Sequence, residues 1–186
     1  MQKKIQILGI CGSLRKASYN RGLLQAALNE LPENCHLELF DLAEIPLFNQ
    51  DHEMSPPASV SHFKEKIHSV DAILLAGPEY NYSFSGVLKN AIDWGSRPYG
   101  KNSWDGKPVA MMGATMGLQG TARAQYHLRQ VFVTLNMHSL NHPEVMVSAA
   151  QDKFDANGQL TDKTVRQKIK ELLVALVALT IDKRPK

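Results

Sequence analysis

Apolar residues along the chain fall into two alternating rhythms. Residues 4–11 (KIQILGIC) are rich in Ile and Leu and run into a glycine loop, which reads as a strand. Residues 20–31 place Leu23, Leu24, Ala27, Leu28 and Leu31 at helical spacing. Residues 36–42 (HLELFDL) alternate as a strand does, and a proline-marked loop follows over 45–57. A second helix is predicted over 58–68, with Val60, Phe63 and Ile67 on one face. Residues 70–77 (VDAILLAG) form a near-continuous apolar run, the pattern of a strand buried on both faces.

The second half repeats the alternation. Residues 86–96 set Val87, Leu88, Ala91 and Ile92 on one side of a helix, and 108–115 (PVAMMGAT) reads as another buried strand. A helix over 121–135 turns Leu128, Val131, Phe132 and Leu135 inward. Residues 140–147 make a fifth strand, and Pro143 within it marks a sheet edge. Thr161 is the expected cap of a last helix reaching about residue 179, with Val165, Ile169, Leu172, Leu173 and Leu176 inside. Five strands alternating with five helices require parallel strands and helices on both faces. The expectation is one doubly wound α/β domain over residues 1–186, without repeats or an interdomain linker. Such sheets bind ligands beyond the carboxyl ends of their strands. The loops that matter are therefore 12–20, 43–57, 78–85 and 115–122.

Composition removes other classes. With 44% hydrophobic and 21% charged residues in 186, the chain is ordinary and globular, neither disordered nor collagen-like. Its longest apolar stretch, residues 172–181, is interrupted by Thr180 and is about half of what a membrane span needs. Met1-Gln2-Lys3-Lys4 leads directly into the first strand and leaves no room for a secretion signal, so a cytoplasmic location is expected. The net charge of +3 is uneven: residues 161–186 carry +4 and the rest −1. That basicity belongs to one helix and its tail, Lys183-Arg184-Pro185-Lys186, where cations suit the helix dipole. It is not the stripe that nucleic-acid binding wants. Cys11 and Cys35, far apart, read as small buried apolar side chains and not as a disulfide framework.

The loop after the first strand carries the clearest chemistry: Gly12-Ser13-Leu14-Arg15-Lys16-Ala17-Ser18-Tyr19-Asn20 leads straight into a helix. Amides at a helix start attract an anion. Ser13, Ser18 and Asn20 add short hydrogen-bonding groups, and Arg15 adds a planar fork suited to phosphate. A dinucleotide fingerprint fails, because Leu14 and Arg15 follow Gly9 and Gly12 where glycine is needed, and no Walker lysine is present. A cysteine phosphatase wants Arg six positions after its nucleophile, where Ala17 stands. The phosphate of one nucleotide, held without metal, remains. Pro78-Glu79-Tyr80-Asn81-Tyr82-Ser83 lies across the switch point and offers flat apolar faces and an amide to the same ligand. Read as structure alone, it is a rigid turn into Ser85, the cap of the next helix. His127, His138 and His142 match no zinc spacing, and no metal site is expected.

Gly12-Ser13-Leu14-Arg15-x-x-Ser18-x-Asn20, Pro78–Ser83 and Leu88-Lys89-Asn90-Ala91-Ile92-Asp93-Trp94 together resemble the NAD(P)H-dependent FMN reductase family, over about residues 4–150. Arg123-x-Gln125-Tyr126-His127-Leu128-Arg129-Gln130 with Pro143-Glu144 resembles its chromate/quinone reductase branch. The resemblance implies a flavodoxin-like five-stranded sheet of order 2-1-3-4-5 and non-covalent FMN, with NADPH or NADH as co-substrate. It implies that Ser13, Arg15, Ser18 and Asn20 hold the phosphate. Pro78, Glu79, Tyr80, Asn81 and Ser83 would line the flavin, with Thr115, Met116 and Gly117 at its other edge. It further implies a homodimer or homotetramer in which Phe48, Asn49 and Gln50 approach a partner's flavin. Arg123 or Arg129 would then pair with Glu144 between subunits, and Trp94, Trp104 and Tyr99 would form interface or pocket wall. One departure is Ser85-Gly86 where the family often has Pro-Gly; Gly117–Gly120 matches only approximately.

The chemistry implied is double displacement, from nicotinamide to FMN and then to quinones, azo compounds, chromate or flavin, with no protein acid or base. Backbone donors of the 115–117 turn would stabilise charge on the reduced ring. Two other readings share the fold. A flavodoxin-type electron carrier wants an acidic face that residues 1–160, at −1, lack. A non-catalytic nucleotide-binding module would have no use for the Pro78–Ser83 loop.

Overall fold

The computed structural model describes residues 4–183. Its elements in chain order are β1 (Ile5–Cys11), α1 (Tyr19–Asn29), β2 (Cys35–Phe40), α2 (Ala58–Ser69), β3 (Ala72–Ala76) and the short pair β4 (Glu79–Tyr80) and β5 (Ser83–Phe84). Then come α3 (Gly86–Ser96), β6 (Pro108–Ala114), α4 (Ala122–Thr134), β7 (His138–Ser139), β8 (Val145–Val147) and α5 (Lys163–Asp182). The central sheet runs β2-β1-β3-β6, and β7 and β8 both pair β6 on its outer side. Every pairing in it is parallel. This is the expected order, with the fifth strand in two pieces.

Strand alternation divides the apolar residues between two layers. Ile7, Leu74 and Met112 face α1 and α5, where they meet Leu23, Leu24, Ile169 and Leu173. Leu8, Ile10, Ile73, Leu75 and Met111 face the other way, toward Phe63 of α2, Ile92 of α3 and Phe132 of α4. Both faces of the sheet are thus covered, which explains the lack of polar alternation in β3 and β6.

Several boundaries differ from the sequence expectation, each for a local reason. The predicted strand over 140–147 breaks because Pro143 cannot donate to the ladder. Arg129 from α4 fills the gap: its guanidinium donates to Ser139 Oγ, Leu140 O and Asn141 Oδ1, each at 3.1 Å. It also lies 3.7 Å from Glu144 within the same chain. The intersubunit pairing expected of Arg129 and Glu144 is therefore corrected to an internal one. Thr161 does not cap α5, because its hydroxyl donates to Lys153 O; Asp162 takes that place and accepts from Val165 N at 2.8 Å. Of the cationic tail, Lys183 lies 3.3 Å from Asp182, and residues 184–186 lie outside the described residues. Cys11 is buried and Cys35 only half-buried. Among the described residues no helix is long and apolar enough to cross a membrane.

Trp94 and Trp104 are core residues, not surface: their indole N–H groups donate to Pro46 O at 2.8 Å and Ile92 O at 3.1 Å. Tyr99 between them is 83% exposed. Gly95 shows how tightly Trp104 is held, since a Cβ there would sit 2.3 Å from the indole nitrogen. Alanine ordinarily stabilises a helix interior by about 1 kcal/mol over glycine. Here overpacking against a hydrogen-bonded, buried ring outweighs that gain. Gly95→Ala is expected to lower stability by about 1–3 kcal/mol, read as a reduced urea midpoint with an unchanged slope.

Candidate functional site

β1 stops at Cys11 and the chain enters α1 at Tyr19, so residues 12–18 must turn above the carboxyl edge of the sheet. Gly12 ties this turn to its neighbour: its N–H donates to Ala76 O at 2.8 Å, and its carbonyl accepts from Ser85 Oγ at 2.6 Å. A Cβ on Gly12 would lie 3.2 Å from that hydroxyl and 3.4 Å from Gly77 Cα. Glycine lets the loops after β1 and β3 approach. Ser85 also caps α3, accepting from Leu88 N at 3.2 Å, so serine in place of proline adds a cross-link between the two loops.

Ser18 is the cap of α1, its Oγ accepting from Arg21 N at 3.4 Å. The first intrahelical bond runs from Gly22 N to Ser18 O, so the amides of Tyr19 and Asn20 precede it and point out of the helix start. Ser13 Oγ accepts from Arg15 N at 3.4 Å. Each serine oxygen accepts inside the loop, and a hydroxyl can accept and donate at once. The Arg15 guanidinium lies 5.2 Å from the centre of the Tyr19 ring. Cys11, beneath the loop, donates to Ser13 O, and burial pushes its thiol pKa up.

These groups open onto a cleft of about 270 Å³. Ser13, Arg15, Ser18, Tyr19 and Asn20 form one side, Pro78 and Tyr80 a second, and Ala114, Thr115 and Met116 a third. The lining contains one arginine and no carboxylate. With a helix start aimed into it, one end suits an anion and the other a flat apolar body.

Four predicted residues lie outside this lining. Glu79 turns away to α4, where its carboxylate accepts from the Arg123 guanidinium and from Ala124 N. Ser83 Oγ lies 3.0 Å from His127 Nδ1. Asn81 sits at the tip of the β4–β5 turn, and Gly117 N–H turns back to Thr115 Oγ1. Asn20 lines the cleft, but its side chain braces the sheet: Nδ2 donates to Ala114 O at 3.0 Å and Oδ1 accepts from Ala114 N at 2.8 Å. Its backbone N–H is left at the open start of α1.

Sequence reasoning missed Tyr19 and Ala114; an aromatic residue placed directly after a helix cap beside a phosphate loop was the available signal for the first. The 43–57 loop is anchored on α3 and not in the cleft. Phe48 N donates to Asn90 Oδ1 at 2.7 Å, and the Phe48 ring packs edge-on against Trp94 at 4.9 Å.

Several known proteins are similar to this chain over most of its length. The family model described as NADPH-dependent FMN reductase matches residues 5–152. A Pseudomonas aeruginosa protein named NAD(P)H-dependent FMN reductase is 52% identical over 177 residues, covering 95% of each chain. The potato (Solanum tuberosum) NAD(P)H:quinone oxidoreductase is 46% identical, over 97% of this chain and 95% of that one. Among solved structures, FerB, a flavoenzyme NAD(P)H:(acceptor) oxidoreductase from Paracoccus denitrificans, superposes with a TM-score of 0.88 at 32% identity, over 96% of this chain and 98% of that one.

The Asn20 brace makes a prediction of its own. Asn20→Ala leaves a buried N–H and C=O of Ala114 without partners, and the expected loss is about 2–4 kcal/mol, measured by chemical denaturation without ligand.

Proposed function

The chain belongs to the NADPH-dependent FMN reductase family, and on that premise we propose that it is an FMN-dependent NAD(P)H oxidoreductase that passes two electrons from a nicotinamide coenzyme to quinones, azo compounds, chromate or flavin. The observation that carries this reading is one cleft joining a carboxylate-free, arginine-bearing helix start to an apolar wall. A phosphate monoester carries close to two negative charges and three acceptor oxygens at neutral pH. The donors on that side are two hydroxyls, one guanidinium and two first-turn amides, which match it without a metal. The residues present therefore fit FMN, and when bound it supplies the redox chemistry.

The protein's part is to hold, orient and expose. Ser13, Arg15, Ser18 and the backbone of Tyr19 and Asn20 would grip the phosphate. Pro78 and Tyr80 would back the ring system, with Thr115 and Met116 at its edge. Thr115 N–H already donates to Val147 O and Gly117 N–H to Thr115 Oγ1. The donor available to a developing negative charge in that turn therefore narrows to the Met116 amide. Tyr80 and Met116 are both exposed, so coenzyme and acceptor can reach the same place in turn. No acid or base is required of the chain.

The same reading takes residues 1–186 as one FMN-binding domain, with small-molecule acceptors, in a cytoplasmic setting that suits its free thiols. Homo-oligomerisation is part of it. Tyr82, Leu118 and Tyr126, like Leu47 and Tyr99, are large apolar side chains left exposed, and a second copy of the chain would cover them.

Two measurements test the proposal. Protein reconstituted with FMN should lose its flavin absorbance when NADPH or NADH is added anaerobically and regain it with a quinone; retention of colour with both coenzymes contradicts the reading. Arg15→Ala should weaken FMN binding by about 1.5–3 kcal/mol while leaving riboflavin binding nearly unchanged, because only FMN carries the phosphate.

A further inference from the structure

The hairpin β4–β5 is held in a conformation that its own residues disfavour. Asn81 and Tyr82 both have positive φ, 49° and 68°, as a two-residue type I′ turn requires. Asparagine tolerates this well, but a bulky tyrosine at positive φ needs its surroundings to fix it. Those surroundings come from the first turns of α4. The Arg123 guanidinium stacks on the Tyr82 ring at 3.7 Å and binds the Glu79 carboxylate. Glu79 also accepts from Ala124 N at 3.1 Å, which places a negative charge at the N-terminus of α4. The Glu79 side chain is only 5% exposed. His127, one turn further along, meets Ser83 Oγ on the second strand. Both strands and the turn between them are thus gripped from one helix.

In a strand, successive side chains point to opposite faces. With Glu79 committed to α4, Tyr80 is sent into the cleft, whose wall it forms. We infer that Glu79 and Arg123 act as a positioning pair, a charge clamp between α4 and the hairpin that fixes the Tyr80 wall of the cleft. Neither carboxylate nor guanidinium needs to touch a ligand for this. The inference rests on the proposed function for its consequence, a correctly seated flavin, and on the geometry alone for the clamp.

The test uses Glu79→Gln, Arg123→Met, the double variant and Arg123→Lys, which restores a charge without the planar fork. Hydrogen exchange on ligand-free protein should show faster amides within residues 79–84 and an unchanged central sheet. FMN affinity should fall about tenfold in Glu79→Gln and in Arg123→Met, the double variant falling no further than either one, because the pair works as a unit. The bound flavin's absorption band should lose vibrational structure in step, and Arg123→Lys should recover part of both losses. Unchanged exchange in 79–84, exchange accelerated across the whole sheet, or additive losses in the double variant would each overturn the clamp. Faster exchange with wild-type affinity and spectrum would overturn its positioning role. A wild-type chain that takes up no FMN would overturn the proposed function instead, while the exchange result still decides whether the clamp exists.

Discussion

A parallel strand that ends beneath the helix it feeds leaves that helix's first amides aimed at one small volume of space, and in this chain nearly everything near the carboxyl edge is arranged around that volume. The sheet is buried on both faces, so its strands cannot carry polar groups for a ligand. Chemistry is confined to the loops, and the loops are fixed relative to one another by short polar ties. Ser85 joins the turn after β1 to the start of α3. Asn20 joins the start of α1 to the end of β6. Glu79 joins the hairpin to α4. Three side chains thus connect the walls of one cleft, and each does so from a buried position.

These ties also explain the charge pattern of the site. A cleft that takes an anion, as proposed, has to keep carboxylates out, yet Glu79 follows Pro78 directly in sequence. The fold resolves this by turning Glu79 outward to an arginine and a helix start, where its charge is neutralised. Arg15 is left as the lone full charge facing the cleft. One end of the cleft then holds the arginine and the helix start and the other end no full charge, the polarity that the proposed FMN would need.

Much of this could be read in the sequence where one physical effect dominated. The continuous apolar runs of β3 and β6 could only be strands covered on both sides. The limits of α3 agree with the expectation because Ser85 caps one end and Pro98 constrains Arg97 at the other. Ser13, Arg15 and Ser18 were legible because a helix start is a local property. What escaped depends on partners far away along the chain. Asn20 has the same donors for a phosphate as for a peptide group, and only the approach of Ala114 decides between them. The orientation of Glu79 is set by Arg123, 44 residues later. A hairpin of two-residue strands with tyrosine at positive φ runs against local propensity, so no window of sequence announces it. Pro143 announced an edge, but not that Arg129 would fill the break.

A phosphate monoester seated at the start of α1 is the contact on which the proposed function depends. Phosphorus NMR of the FMN-loaded protein across pH 5 to 9 reads that contact directly. A free phosphate monoester titrates near a pKa of about 6, whereas one held by Arg15 and the first-turn amides should stay dianionic, with a displaced resonance that does not move with pH. A bound-state resonance that follows the titration of free FMN would contradict the account.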